Sequence, residues 1–359
     1  MAANFIELVR LRSTSKPDVY VSCSNPEKMG NAADIAYGGC VQAFSVQAAF
    51  KSIEAHKELM HFEIYSLLGT YLGPTYANRK VKLAVTTIRT TRSFATRFVT
   101  ASQRMDDGSE RNTFCATIDF SAPNKIDTLK AGAPFTRYSR KPRMQYAPPE
   151  QLPSLEDIAQ RKVEEGKVNR AAAKFFTEVV FALNKKALVN AFPPQGLHAQ
   201  NVMGLDPLAE SEQHSAPLTD RFSVDWSKSA LDLSSPASPP SASSLPPTDF
   251  EDVGPALSVS STSPNAALVA FMMDGALSFI PLTFSKLSLA DASAASSLDC
   301  ALRFFAVPDM NGYHLREMQT IQGNDCRTYS EAFLWDRNLN MVASMTQACV
   351  LRPPLKNKL

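Results

Sequence analysis

The sequence is poor in the features that usually announce a partner. Its net charge is only +2 over 359 residues, too weak a field to draw the chain to nucleic acid or to an anionic membrane. Six cysteines, Cys23, Cys40, Cys115, Cys300, Cys326 and Cys349, are scattered with no CxxC pair, and none of the five histidines stands at ligand spacing. That pattern excludes a zinc site and a disulfide framework and leaves reduced thiols, with no metal and no cofactor expected. No apolar run reaches the roughly 20 residues that cross a bilayer. The opening MAANFIELVRLRS has no continuous apolar signal core, so an intracellular compartment is expected.

What is present is globular: hydrophobic residues make up 44% of a 39.3 kDa chain, enough for two domains with cores of their own. The most informative stretch runs from Pro264 to Pro281, PNAALVAFMMDGALSFIP, with one carboxylate, Asp274, near its middle. Leu268, Phe271, Met272 and Gly275 recur at helical spacing, and the two prolines predict the ends of one buried helix. An ionised carboxylate buried there costs several kcal/mol unless it is paired or hydrogen-bonded. Either Asp274 reaches solvent or caps a loop, or something in the fold holds it.

Taken in order, FIELVRL and DVYVSC predict two strands, and AYGGCVQAFSVQAAFKSIEAHK predicts a first central helix opening at Gly38-Gly39. ELMHFEIYSLL, VKLAVTTIRTTRSFATRFVTASQ and RNTFCATIDFS then read as strands, the last entered by a turn at Asp106-Asp107-Gly108. The order returns near the other end. The helix around Asp274 is followed by LDCALRFFAV, HLREMQTIQ, CRTYSEAFLW and LNMVASMTQACVLR. A helix followed by antiparallel strands, twice, is an internal duplication. The predicted fold class is α+β, a double hotdog of two tandem units, each a long apolar helix wrapped by a curved antiparallel sheet, with the sheets joined side by side.

The boundaries drawn are 1–125 for the N-terminal unit, 126–215 for a loop and helical linker, and 216–359 for the C-terminal unit with a Pro/Ser-rich insertion at 233–263. Ser154 and Asp157 predict a capping box, and residues 155–192 then read as mostly helical. Within the insertion, the stretch from Leu233 to Asp249 is expected to be mobile and to pack against nothing in particular. A basic run with Arg137, Arg140, Lys141 and Arg143 is readable as a phosphate contact or as a solvated connection.

Several stretches resemble the acyl-CoA thioesterase II family. YGGCVQAFSVQAA, Tyr37 to Ala49, is similar to the family's Gly-Gly helix start, and IRTTRSFATRFVTASQ carries its Arg-Ser-Phe and Thr-Arg pattern at Arg92, Ser93, Phe94, Thr96 and Arg97. LPSLEDIAQ and MVASMTQACVLR match in the expected order.

The resemblance implies hydrolysis of an acyl-CoA or acyl-carrier thioester by a water held by an Asp, a Thr and a Gln. Carried onto this chain they are Asp274, Ser297 in place of the threonine, and Gln347. Gly38, Gly39, His61 and Arg92 are the residues implied for substrate or oxyanion binding, His61 having a core role as its other reading. The family's His after the strand aspartate is Cys300, its Phe-His-Arg-Pro-Phe segment is FFAVPDM, and its Gly-Arg-Gly segment is CRTYSEA. These departures keep two alternatives open: a hydratase, dehydratase or biosynthetic enzyme acting on a polyketide-like acyl group, and a non-catalytic acyl-thioester binding protein. No nucleic acid and no membrane span are expected; a homo-oligomer is compatible with the pattern. The closing Asn357-Lys358-Leu359 resembles the peroxisomal Ser-Lys-Leu address in two of three residues, so a peroxisomal location is the expectation, with the cytoplasm as the other.

Overall fold

The computed structural model describes residues 2–30, 33–123, 138–240 and 248–354. Arg137 and the Asn-Lys-Leu tail lie outside the described residues. Thirteen strands form one antiparallel sheet: β1 Leu11–Thr14, β2 Val19–Ser22, β3 Glu63–Tyr71, β4 Lys82–Thr90, β5 Phe94–Arg104, β6 Glu110–Ser121, β7 Leu188–Ala191, β8 Ser223–Ser229, β9 Val253–Ala256, β10 Ala294–Phe304, β11 His314–Asn324, β12 Arg327–Trp335 and β13 Met341–Arg352. Their spatial order is β7-β8-β11-β12-β13-β10-β3-β6-β5-β4-β2-β1-β9. The helices are α1 Phe5–Val9, α2 Gly38–Glu54, α3 Leu155–Glu164, α4 Arg170–Phe175, α5 Ala182–Ala187, α6 Leu197–Asn201, α7 Ser263–Met273 and α8 Ile280–Phe284, with a π turn at Phe176–Val180 between α4 and α5.

The two units meet edge to edge at β3 and β10, where Cys300 pairs with Gly69 and Leu302 with Leu67. Each sheet wraps a central helix, α2 in the first unit and α7 in the second. Every residue of α7 is buried, and α2 is buried along almost its whole length. The two helices lie antiparallel against each other. The start of α2 meets the end of α7, where Gly39 faces the Phe271 carbonyl, and farther along Ser263 Oγ donates to Gln47 Oε1 at 2.9 Å. Phe44, Phe50, Leu268, Phe271 and Phe284 belong to one core shared by both units, each contributing roughly 1.5–3 kcal/mol by burial. The duplication and the joined sheets are as the sequence implies.

Four local expectations are corrected. The first apolar run is helix α1, because the Asn4 side chain accepts the Glu7 amide at 2.9 Å and starts a helical turn before the chain becomes β1. The helix carrying Asp274 ends at Met273, so Asp274 is its C-cap, and Pro281 opens α8 instead of closing α7. The backbone turns there: Ala276 has a φ of 77°. The linker does carry the capping box at Ser154 and Asp157, but its helices end in β7, which pairs with β8 at one edge of the sheet. Beside them Leu155, Ile158, Phe176, Phe181 and Phe192 make a small second core.

The described residues of the insertion at 233–263 are likewise anchored. Leu233 is buried in the main core, Ala237 bridges to Val259, and β9 pairs with β1 at the opposite edge of the sheet. Arg10 donates to the Ala237 and Leu257 carbonyls and Arg12 to that of Gly254, so apolar burial and backbone acceptors hold a segment whose composition alone suggests none. The described part of the basic run stays exposed, a solvated connection with a few tethers. Arg140 stacks 4.0 Å over Phe333, the Arg143 amide donates to Glu317, and Lys141 Nζ donates to the Leu339 carbonyl.

Candidate active site

The packing of α2 on α7 fixes Asp274. Helix α2 has Tyr37 at its N-cap and no capping side chain of its own, leaving its first amides without partners. The Asp274 carboxylate fills that place from the other unit, accepting the Gly39 amide, and the positive end of the α2 dipole favours its charge. So close an approach requires both glycines. A Cβ on Gly39 would stand 2.6 Å from the Phe271 carbonyl oxygen, and one on Gly38 2.9 Å from Asp274 Oδ2.

Three side chains converge on Oδ1 of the same carboxylate. Oδ1 accepts Gln347 Nε2 at 2.5 Å, the Tyr71 hydroxyl at 2.9 Å and Gln42 Nε2 at 3.1 Å, and Gln42 Nε2 also reaches the Tyr71 oxygen at 2.6 Å. Tyr71 ends β3, the junction strand. Gln347 on β13 is the register partner of Cys300, which is in turn the partner of Gly69, two residues before Tyr71 on the same face. The seam between the units thus delivers donors from both to one carboxylate.

Burial raises the Asp274 pKa to about 6, although the hydrogen bonds from Gln347, Tyr71 and Gly39 oppose the shift. Burial also pushes the Cys40 thiol up to about 12 and the Cys300 thiol well above its ordinary range, the latter helped by the negative charge of Asp274. Neither is an activated nucleophile, since a reactive thiol needs the opposite shift.

The end of α7 that carries Asp274 is held from beneath. Arg316, on β11, donates to the Met272 carbonyl at 2.5 Å and to that of Gly275 at 3.2 Å, while its Nε and Nη2 meet Asp225 at 3.0 and 2.9 Å. The Tyr37 hydroxyl donates to the Phe271 carbonyl at 2.5 Å. These donors satisfy carbonyls that a helix end otherwise leaves open.

The residues implied by the sequence are placed unevenly. Asp274 and Gln347 are in direct contact. Ser297 faces the same side one step along, opposite Cys349, beyond a register shift between Ser297 and Asp299. Its hydroxyl meets the Cys349 thiol, and that thiol contacts Gln347 Oε1 at 3.6 Å; among the described residues no direct hydrogen bond links Ser297 to Asp274. Gly38 and Gly39 touch the carboxylate. His61 does not belong here: it is exposed in the turn before β3, at the opposite end of that strand from Tyr71, its ring against Phe62. Arg92 is exposed at the tip of the β4–β5 hairpin, because the buried member of that motif is Arg97, which bonds Ser52 and Thr90. The sequence assigns no role at the site to Gln42 or Tyr71. Gln42 is one helical turn from Gly38 on the same face, a buried amide in an apolar helix, and that was the available signal.

Among the described residues no group of His, Cys, Asp and Glu is arranged to hold a metal, and no helix is long and apolar enough to cross a membrane.

The family model described as the acyl-CoA thioesterase N-terminal domain matches residues 25–121, and that of the acyl-CoA thioesterase C-terminal domain matches residues 205–351. No curated protein matches. Among solved structures the chain is similar to the tesB protein of Mycobacterium avium subs paratuberculosis, with 14% identity, coverage of 97% of this chain and 98% of that one, and a TM-score of 0.60. It is also similar to the acyl-CoA thioesterase II TesB2 of Mycobacterium marinum, with 16% identity, 98% and 99% coverage and a TM-score of 0.57. A hot dog fold protein of unknown function from Alicyclobacillus acidocaldarius gives 12% identity, 98% coverage of both chains and a TM-score of 0.57. With both of its units matched, the chain belongs to the acyl-CoA thioesterase II family, and its fold is a double hotdog.

Proposed function

We propose that this protein hydrolyses acyl-CoA thioesters with a water activated by Asp274. The observation that carries this reading is the carboxylate itself, buried at the seam, bonded by Gln347 at 2.5 Å and lodged at the start of α2. A base with a pKa of about 6 is ionised at neutral pH and still basic enough to take a proton. In this reading Gln347 orients the carboxylate. The Ser297 hydroxyl, on the same side of the sheet, steadies the water, and the first turn of α2 offers amides toward the developing oxyanion.

The test is a panel of acetyl-, hexanoyl-, decanoyl- and palmitoyl-CoA with free thiol as the readout, the parent beside Asp274→Asn. Thiol release by the parent, lowered by a factor of about 10² or more in the variant, supports the proposal. Substrate turnover without thiol release would move the assignment to hydration or dehydration, and binding without turnover to a carrier role.

Delivery to peroxisomes through Asn357-Lys358-Leu359 is a second proposal, supported by the tail's likeness to Ser-Lys-Leu. A fluorescent fusion at the N-terminus, with and without the last three residues, tests it. A diffuse signal from the intact version refutes it.

A further inference from the structure

All three side-chain donors at Asp274 go to one oxygen. Gln347 is contributed by the second unit, Tyr71 and Gln42 by the first, and each bonds Oδ1. Oδ2 receives none of them and lies beside Gly38, where a Cβ would stand 2.9 Å from it. The Gln42 carbonyl oxygen adds a second asymmetry. Gln42 is fully buried, and its Oε1 has no hydrogen-bond partner, a condition that costs about 1–3 kcal/mol. Since Nε2 of the same amide lies 3.1 Å from Oδ1 and the two ends of an amide are about 2.3 Å apart, that orphaned acceptor stands within about 5.5 Å of Oδ1, close enough for a single water to bond both groups.

We infer that Tyr71 and Gln42 are positioning residues for the reaction: they occupy Oδ1, so that Oδ2 receives the proton of the attacking water, whose other hydrogen is accepted by Gln42 Oε1. The inference rests on the hydrolytic reading above. In the step it describes, the water oxygen bonds to the thioester carbonyl carbon as one O–H bond breaks and its proton passes to Oδ2. The tetrahedral intermediate then collapses, the C–S bond breaks, and the departing thiolate takes the proton back from Asp274. Acid and thiol are the products, and the carboxylate is restored.

The groups that face Asp274 from the packed elements are Tyr37 and Cys40 of α2, Tyr71 of β3, Cys300 of β10 and Cys349 of β13, with Arg316 of β11 under the same helix end. Burial raises the pKa of each phenol and thiol in that set. All of them keep their protons through the range where Asp274 titrates, so its carboxyl signal is readable against them.

Two measurements on the full chain test the inference. The first is an infrared titration of the Asp274 carboxyl, identified by its absence in Asp274→Asn, in the parent and in Tyr71→Phe. Loss of a donor to the charged form moves the midpoint upward, by about one pH unit. The second is decanoyl-CoA hydrolysis. Tyr71→Phe lowers kcat about tenfold with KM unchanged, and Gln42→Leu lowers it further, by about 10², because both the donor and the water's acceptor are gone. An unmoved midpoint in Tyr71→Phe, in a variant that melts like the parent, overturns the positioning role. An unchanged kcat in folded Gln42→Leu overturns the part assigned to its carbonyl oxygen. If the parent itself releases no thiol while the midpoint still moves, hydrolysis fails and the hold of Tyr71 on Asp274 stands.

Discussion

Gly38 opens one central helix and Asp274 closes the other, and no side chain fits between them: a Cβ on Gly38 would stand 2.8 Å from the Tyr71 hydroxyl oxygen and 2.9 Å from Asp274 Oδ2. In an ordinary helix, glycine to alanine is stabilising by roughly 0.5–1 kcal/mol. Here neither neighbour can retreat without breaking the bonds to Oδ1, so Gly38→Ala is expected to destabilise by about 1–3 kcal/mol. It should also lower turnover at least about tenfold. Urea unfolding and initial rates on the same preparation check both, and the sign of the stability change alone separates a crowded site from a plain helix start.

Asp274→Asn should trade activity for stability. The folded pKa of about 6 lies above the ordinary carboxylate value, so the native state holds this proton more tightly than the unfolded chain. The contribution of the group is most favourable below about pH 4 and is lost as pH rises through 6, amounting to as much as about 3 kcal/mol at neutrality. Asparagine removes that penalty. We expect the variant to be more stable than the parent at pH 7, by about 1 kcal/mol or more, and no more stable at pH 4. Thermal melts at the two pH values decide it.

The same titration should appear in the kinetics. If Asp274 is the base, kcat for thioester hydrolysis rises with pH through an apparent value near 6 and then levels, because only the ionised carboxylate accepts a proton. A rate that falls across that interval would assign the protonated form to the work, as an acid.

Arg316 and Asp225 give a test of how the site is supported. Both are buried, at 4% and 0% exposure, and they are paired beneath the end of α7. Removing one leaves the other charge stranded, so Arg316→Met should cost about 3–5 kcal/mol; replacing both with apolar residues should recover much of that loss. A double-mutant cycle in denaturant measures the coupling. The double variant should still lose turnover, because the Met272 and Gly275 carbonyls no longer have the donor that steadies Asp274.

Much of this is legible in the sequence. The repeated order of helix and strands predicts two joined units, and Asp274, an acid among leucine-like neighbours, stands out as a carboxylate that needs partners. Gln347 was reachable through the family's closing strand. What escaped did so for physical reasons. Helix α7 stops early because its last carbonyls find Arg316 and Tyr37, donors distant in sequence, and local periodicity cannot register them. Gln42 looks like an ordinary member of an apolar helix, and Tyr71 falls past the predicted strand ELMHFEIYSLL, in a stretch that reads as a turn-rich connection although β3 extends into it; only the packing of one unit on the other gives them a common partner. His61 was misplaced because a strand pattern says nothing about which end of the strand meets the site.

The pairing of β9 with β1 imposes an order on synthesis. A chain leaving the ribosome makes β1 first, yet its outer neighbour, Val253–Ala256, emerges some 240 residues later, after the linker and β8. Until then the first unit presents an open strand edge, with Arg10 and Arg12 lacking the carbonyls they will bind. Such an edge invites pairing with another chain. The bulk of the first sheet can form early, but its border is sealed only when most of the protein has been made, so the nascent chain passes through an interval in which that border is the part most in need of shielding.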